Sequence, residues 1–293
     1  AERDLVRQRA GDLARFLANE RTKNEKKLAK LAETLEEAKD ADRYRICGEL
    51  LQAHLHQIAK GDREAEVVDY YDEAQRTVRI PLDPQLTPSE NAQRYFRKYQ
   101  KLKNSLAAVE EQIRRTREEI EYFDALLAQL DGASPADIDD IRAELEEGGY
   151  LRRRGGVGGK RAAKPDRPSL HAYLSSENVP IYVGRSNTQN DYITNRLARP
   201  NDTWLHAKDM PGSHVLIRGE SFGDATLAEA AMLAAYFSKG KQSSLVPVDF
   251  TLARHVKKPS GAKPGFVVYE KQKTLFVTPD EAAVRALRPL REP

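Results

Sequence analysis

The segment YQKLKNSLAAVEEQIRRTREEIEYFDALLAQL, residues 99–130, decides the fold of the first half of this chain. Its core positions read Tyr99, Leu102, Leu106, Val109, Ile113, Thr116, Ile120, Phe123, Leu127 and Leu130, and only Thr116 is clearly polar. Steps of three and four residues alternate throughout, the seam of a left-handed coiled coil. Between seam positions lie Glu110, Glu111, Arg114, Arg115, Arg117, Glu118, Glu119 and Glu121, a solvated charged face. Thr87-Pro88-Ser89 supplies a cap and a first-turn proline, and Asp131-Gly132 supplies a stop, so the pattern predicts one helix from about Ser89 to Leu130.

Upstream, Leu28, Leu31, Leu35 and Ala38 repeat the same spacing after Leu13 and Leu17, so a second long helix is expected from about Arg3 to Ala38. The two helices are comparable in length and lie apart in sequence. An antiparallel hairpin within the chain is the simplest arrangement, and a homodimer built on one helix is the other. Tyr44 to Ile58 is expected to be a further amphipathic helix. Ala65 to Leu82 is expected to form a β-hairpin, because Val67-Val68-Asp69-Tyr70-Tyr71 and Thr77-Val78-Arg79-Ile80 flank a polar break. Ser134 caps a short helix predicted from Pro135 to Glu147.

The chain has 293 residues, 48 Lys+Arg against 45 Asp+Glu, and 32% charged residues, above the roughly 25% of an ordinary globular protein. With aromatics at only 7%, part of the chain is expected to be elongated. The near-neutral total hides an asymmetry: residues 1–150 carry 25 basic and 32 acidic side chains, residues 151–293 carry 23 and 13. A basic second half suits a polyanionic partner. No apolar run is long enough for a membrane span and the first residues are not those of a signal peptide. The single cysteine, Cys47, excludes an internal disulfide and a Cys-rich zinc site. These features predict a cytoplasmic protein with no membrane partner.

Residues 148–167 read as a basic, Gly-rich linker, with Arg152-Arg153-Arg154, Gly155-Gly156-Val157-Gly158-Gly159 and Lys160-Arg161. No Lys-Ser/Thr closes the glycine run, so it is not a phosphate-binding loop. From residue 168 short apolar runs alternate with Gly, Pro and Asn around one apolar helix, Thr226 to Ser238, and Lys271-Gln272-Lys273 is expected to turn a terminal hairpin. The fold class is therefore α+β: a long coiled-coil hairpin over residues 1–147, with a small β-hairpin near 65–82, then a linker and a compact mixed domain over residues 168–293.

Three polar stretches of that domain are candidates for chemistry. Asn187-Thr188-Gln189-Asn190-Asp191-Tyr192 follows a strand. In the stretch from Asp202 to His214, a strand starting at Thr203 sets Trp204 and His206 on one face and Leu205 on the other, before Pro211-Gly212-Ser213 turns the chain. Arg254 to Gly265 is a basic, turn-rich loop holding Lys257, Lys258 and Lys263. An aromatic face, amide side chains and a basic loop together suit a nucleic-acid backbone with one or two stacked bases. Trp204 reads first as a core residue and second as a stacking platform. His206 and His214, with Asp202 or Asp209, lack the spacing of a metal site. A hydrolase using a His base and Ser213 lacks a Gly-x-Ser-x-Gly elbow and an orienting acid. No catalytic residue, metal or cofactor is expected.

Ile181-Tyr182-Val183-Gly184-Arg185-Ser186-Asn187-Thr188-Gln189-Asn190-Asp191-Tyr192 and Asp202-Thr203-Trp204-Leu205-His206-Ala207-Lys208-Asp209-Met210-Pro211-Gly212-Ser213-His214-Val215 strongly resemble the RNA-binding (NFACT-R) domain of the RqcH/NEMF/Caliban family, known in bacteria also as fibronectin-binding-protein-like. His255-Val256-Lys257-Lys258-Pro259 and Gly261-Ala262-Lys263-Pro264-Gly265 match its later loop. Tyr44-Arg45-Ile46-Cys47-Gly48-Glu49-Leu50-Leu51 and Leu82 to Phe96 resemble its coiled-coil middle region. The resemblance implies that a large N-terminal domain and a helix-hairpin-helix segment precede this part in family members. It also implies ribosome-associated quality control. Such a factor binds large ribosomal subunits (rRNA and proteins) obstructed by peptidyl-tRNA, and recruits charged tRNA, alanyl-tRNA in bacteria, for tailing without mRNA. The ribosome performs peptidyl transfer and the factor is not an enzyme. Carried onto this chain, Arg185, Asn187, Asn190, Asp202, Trp204, His206, Lys208, His214, Arg254, Lys257, Lys258 and Lys263 are the expected RNA-binding residues. The competing expectations are a fibronectin-binding surface adhesin and a metal-dependent hydrolase centred on His206 and His214.

Overall fold

The computed structural model describes residues 2–153 and 166–291. The glycine run and Lys160-Arg161 of the expected linker lie outside the described residues. The chain is mixed α+β and divides into two compact units, residues 22–120 and residues 1–21 with 121–293.

The coiled-coil seam is realised in helices α1 (Glu2–Lys39) and α3 (Pro88–Leu130). In the unit of residues 22–120, Leu28, Leu31 and Leu35 of α1 are half-buried and Ala38 is buried. Along α3, Tyr99, Leu102, Leu106 and Val109 are half-buried and Ile113 and Thr116 buried. Thr116 is tolerated in the seam because its hydroxyl donates to the Gln112 carbonyl at 2.7 Å. Helix α2 (Ala41–Ala53) packs Leu50 and Leu51 against Ala92 and Tyr95 of α3 and against the hairpin of β1 (Glu64–Val68) and β2 (Thr77–Pro81).

The helix expected to run to Ile58 stops at Ala53. His54 folds its ring back and donates Nδ1–H to the Leu50 carbonyl at 2.7 Å, filling the acceptor that its own amide would have used. That amide turns to Leu51 instead, and a 3₁₀ turn, Leu55–Gln57, follows.

In the other unit, Leu13 and Leu17 pack against Tyr122, Phe123, Leu126 and Leu130, and against Ile138, Ile141 and Leu145 of helix α4 (Pro135–Glu147). The start of α1 thus meets the end of α3. Ser134 closes a capping box with Asp137.

The remaining chain builds a seven-stranded antiparallel sheet from β3 (His171–Leu174), β4 (Pro180–Val183), β5 (Thr203–Ala207), β6 (Val215–Ile217), β7 (Val246–Leu252), β10 (Lys273–Val277) and β11 (Arg288–Pro289), in the order β10-β7-β5-β6-β4-β3-β11. Helix α6 (Asp224–Tyr236) covers one face, packing Ala230, Ala231, Leu233, Ala234 and Ala235 on Val183, Leu205, Val215 and Val248. Helix α7 (Glu281–Ala286) adds Val284 to this core. On the opposite face Ala172, Tyr182, Trp204 and Leu216 receive Ile193 and Leu197 from a π-helical turn (Ile193–Leu197) that continues helix α5 (Asn187–Tyr192). They also receive Val256, Val267 and Tyr269 from a small ribbon of β8 (Val256–Lys257) and β9 (Val268–Tyr269).

The expected terminal hairpin does not form. Lys271 turns the chain with φ 57°, but β9 pairs with β8, and β10 pairs with β7. Asp249 and Thr251 of β7 explain the handover. Asp249 accepts from Tyr269 Oη and Thr274 Oγ1, and Thr251 Oγ1 donates to the Glu270 carbonyl, so the chain on both sides of the turn is tied to β7.

Candidate nucleic-acid interface

Residues 184–191 form a lock of buried polar groups. Ser186 caps α5 by accepting from the Gln189 amide. Gly184 lies so close to Asn190 that an added Cβ would overlap Asn190 Oδ1 and stand 2.9 Å from its backbone nitrogen. Asn190 Oδ1 in turn accepts from the His214 amide at 3.0 Å. Gln189 accepts from the Arg185 amide at 2.9 Å and donates to Asp137 at 2.6 Å. Asn187 donates to Glu144 at 3.1 Å and accepts from Gln129 at 2.7 Å. The Arg185 guanidinium donates to the Asp131 carbonyl at 2.7 Å and stacks 4.3 Å from the Phe237 ring centroid. Gln189, Asn187 and Arg185 thus meet residues of α4 or of the end of α3 and the turn after it.

Burial sets the carboxylates apart. It pushes Asp137 up, yet hydrogen bonds from His171 and the Ser134 amide prevail and hold it down at about 2. Burial pushes Glu144 up to about 7 against hydrogen bonds from Tyr122 and Asn187. Asp140 is also raised by burial.

Trp204 is 1% exposed and belongs to the core. The strand alternation is as its residues predict: Trp204 faces the π-helical turn, Leu205 and Ala207 face α6. The Trp204 indole Nε1–H donates to Thr194 Oγ1 at 3.1 Å, and Thr194 lies 2.7 Å from His214 Nδ1. His214 Nε2 stands 3.0 Å from the Gly265 carbonyl, which only accepts. The proton is therefore assigned to Nε2, and the Thr194 hydroxyl donates to Nδ1. Burial and the neighbouring His206 lower His214 to about 3, so this chain of bonds stays neutral. His206 stacks on Trp204 with centroids 5.7 Å apart, and burial lowers its pKa also. Asp202 is 2% exposed and answers Arg218, the Gly219 amide and the Arg199 amide.

Both ring nitrogens of His214 and both oxygens of Asp202 are engaged inside the fold. Among the described residues no three His, Cys, Asp or Glu side chains gather as a metal group. Ser213 is buried, its amide bound to the Phe237 carbonyl.

The exposed cations lie elsewhere. Segment 190–202 and segment 253–265 are tied together by the Ala253 amide on the Asp202 carbonyl at 2.8 Å, the Arg254 amide on the Pro200 carbonyl at 3.2 Å, and Asp191, which accepts from Lys258 Nζ at 2.8 Å and the Gly265 amide at 3.0 Å. Gly265 has φ 79°, and a Cβ there would overlap Asn187, so this crossing requires glycine. The result gathers Arg196, Arg199, Arg254, Lys257 and Lys258 at the surface. Among the described residues, Arg196, Arg199, Arg254 and Lys257 have no carboxylate at ion-pair distance. Lys263 turns inward, over the Tyr122 ring and onto the Tyr150 hydroxyl. Lys208 is exposed beyond Ala207, at the opposite end of β5 from Arg199 and Arg254.

Of the residues singled out in sequence, the fold thus gathers Arg254, Lys257 and Lys258 on one surface. It buries Arg185, Asn187, Asn190, Asp202, Trp204 and His214, leaves His206 partly covered, and sets Lys208 and Lys263 apart. Arg196 and Arg199 escape sequence reasoning; their signal is a three-residue step running from the end of a helix into Pro200.

Residues 1–164 match the family model of the NFACT N-terminal and middle domains, and residues 169–271 that of the NFACT protein RNA binding domain. The chain belongs to the NFACT family. It is 57% identical to the Rqc2 homolog RqcH of Bacillus subtilis over 288 residues, 98% of this chain and 50% of that protein. Identity to the Rqc2 homolog RqcH of Streptococcus suis is 43% over 290 residues, 98% of this chain and 51% of that protein. This NFACT chain therefore spans about half the length of the curated relatives it matches. The solved C-terminal structure of the fibronectin/fibrinogen-binding protein from Streptococcus suis is similar with a TM-score of 0.75 and 38% identity, over 97% of this chain and 99% of that one. No helix of the described NFACT residues is long and apolar enough to cross a membrane.

Proposed function

We propose that this chain is the middle and RNA-binding part of a ribosome quality-control factor. In this reading it binds large ribosomal subunits obstructed by peptidyl-tRNA, contacts rRNA or tRNA, and supports mRNA-independent alanine tailing of stalled chains in the cytoplasm. The ribosome carries out the chemistry. Residues 168–293 act as the RNA-binding module, and residues 1–147 as a helical arm.

The observation that carries the reading is the cationic surface formed where segments 190–202 and 253–258 meet. Cations without a carboxylate partner are suited to phosphates, and each phosphate they neutralise releases a counterion. Arg254, Lys257 and Lys258 are the proposed contacts from the sequence reading, joined by Arg196 and Arg199, with Lys208 as an outlying one. Arg185, Asn187, Asn190, Asp202, Trp204, His206, His214 and Lys263 act by holding that surface in position.

Co-sedimentation with purified large subunits over a salt series, with and without peptidyl-tRNA, tests this. Salt-sensitive binding that strengthens with peptidyl-tRNA is expected; no binding at low salt would contradict it. The name of the Streptococcus suis relative favours a second reading, adhesion to fibronectin. Capture of fibronectin by the immobilised chain, unaffected by competing RNA, would support that reading instead.

A further inference from the structure

The ribbon of β8 and β9 has two unlike faces. Val256 and Tyr269, opposite one another, pack inward with Val267 on the Trp204 cluster. Lys257 and Val268, also opposite one another, are exposed, and so is Phe266, two residues before Val268. Phe266 is 52% exposed and Val268 48% exposed, although both belong to a segment whose other apolar side chains are packed. A single exposed apolar residue is ordinary. Here an aromatic ring and a valine are exposed two residues apart, the valine directly across the ribbon from the exposed Lys257.

We infer that the RNA taken by this surface is unpaired, with a base stacked on Phe266 against Val268 and the flanking phosphates on Lys257, Arg254 and Arg199. A duplex hides the faces of its bases, so an exposed ring gains nothing from its backbone. An unpaired strand offers a π-face beside each phosphate, and aromatic rings among cations are how proteins hold such strands. The stacking that the sequence pattern assigns as a second role to Trp204 passes to Phe266, because the sheet register buries the indole while the phenyl ring is left exposed just before β9. The inference rests on the RNA-binding reading above and narrows it to a class of RNA.

The test titrates the full chain with a short unstructured RNA containing 2-aminopurine, and with the same RNA annealed to its complement, across a salt series. Wild type is compared with Phe266→Ala, Phe266→Leu and Phe266→Tyr; the half-exposed ring makes all three compatible with the fold. Phe266→Ala is expected to weaken single-strand binding about tenfold, within the range found for a lost base–aromatic stack, with the salt slope and duplex binding unchanged. Phe266→Tyr is expected to retain affinity and 2-aminopurine quenching, and Phe266→Leu to lose both. Equal single-strand affinity of wild type and Phe266→Ala, or full retention by Phe266→Leu, would overturn the inference. If Lys257→Ala still flattens the salt slope in that case, the broader RNA reading stands; if wild type binds neither RNA at low salt, both readings fall.

Discussion

Segment 184–191 and the surface formed by 193–202 with 253–268 lie next to each other in the fold, yet their charged groups are handled in opposite ways. In the first, nearly every polar atom faces a protein partner: Gln189 faces Asp137, Asn187 faces Glu144 and Gln129, and Arg185 faces the Asp131 carbonyl. In the second, Arg196, Arg199 and Lys257 stand exposed with no carboxylate at ion-pair distance among the described residues. Buried polar groups that are fully answered fix geometry. Exposed cations that are unanswered are available to a ligand. Arg185 in the first region is held by the fold while Arg196 and Arg199 in the second are left to the proposed contact surface, and partner atoms make the difference.

The largest effect on the buried frame is expected from Gly184→Ala. A Cβ at this position overlaps Asn190 Oδ1, so the lock is expected to lose about 3 kcal/mol or more, read as a fall in the urea midpoint. A midpoint close to wild type would mean the lock is loose.

Next in size is the pH response of Glu144. Its folded-state pKa of about 7 lies above the ordinary 4.5, so the folded chain holds this proton more tightly than the unfolded chain does. Stability should therefore rise as pH falls from 7 towards 4.5, on the order of 2 kcal/mol, and be lost as pH climbs through that window. Asp140, also raised, acts in the same sense. Asp137, lowered from 3.8 to about 2, contributes stability that is lost only as pH falls between those values, below the Glu144 window. Urea midpoints across pH 4.5–7.5 check this, and Glu144→Gln should flatten the profile.

A smaller effect is expected from Thr194→Val, which keeps the shape but leaves Trp204 Nε1 and His214 Nδ1 without their shared partner. The loss should be about 1–2 kcal/mol by thermal unfolding. On the other side of the comparison, Lys257→Ala should leave the unfolding transition where it is and flatten the salt dependence of RNA affinity by about one unit.

The seam residues from Tyr99 to Leu130, the cap at Ser134 and the alternation of Trp204, Leu205 and His206 are visible in sequence because each depends on neighbours within one or two turns. The end of α2 is not, since a histidine ring competing for the Leu50 carbonyl leaves no periodic trace. The frame at 184–191 is hidden for a different reason. Its partners, Gln129, Asp131, Asp137 and Glu144, lie some forty to sixty positions away, and nothing local distinguishes an amide that will meet them from one that will meet RNA. Phe266 and Trp204 are a further case: both are aromatics in polar surroundings, and only strand register separates the exposed ring from the buried one.

The exposed cations, and not the buried motif, are the proposed RNA surface. The most direct measurement is the slope of log affinity against log salt for an unstructured RNA, in wild type and in the Arg199→Ala/Arg254→Ala double variant. The slope should flatten by about two units with the melting temperature unchanged. An unchanged slope in a folded variant would remove these arginines from the RNA surface.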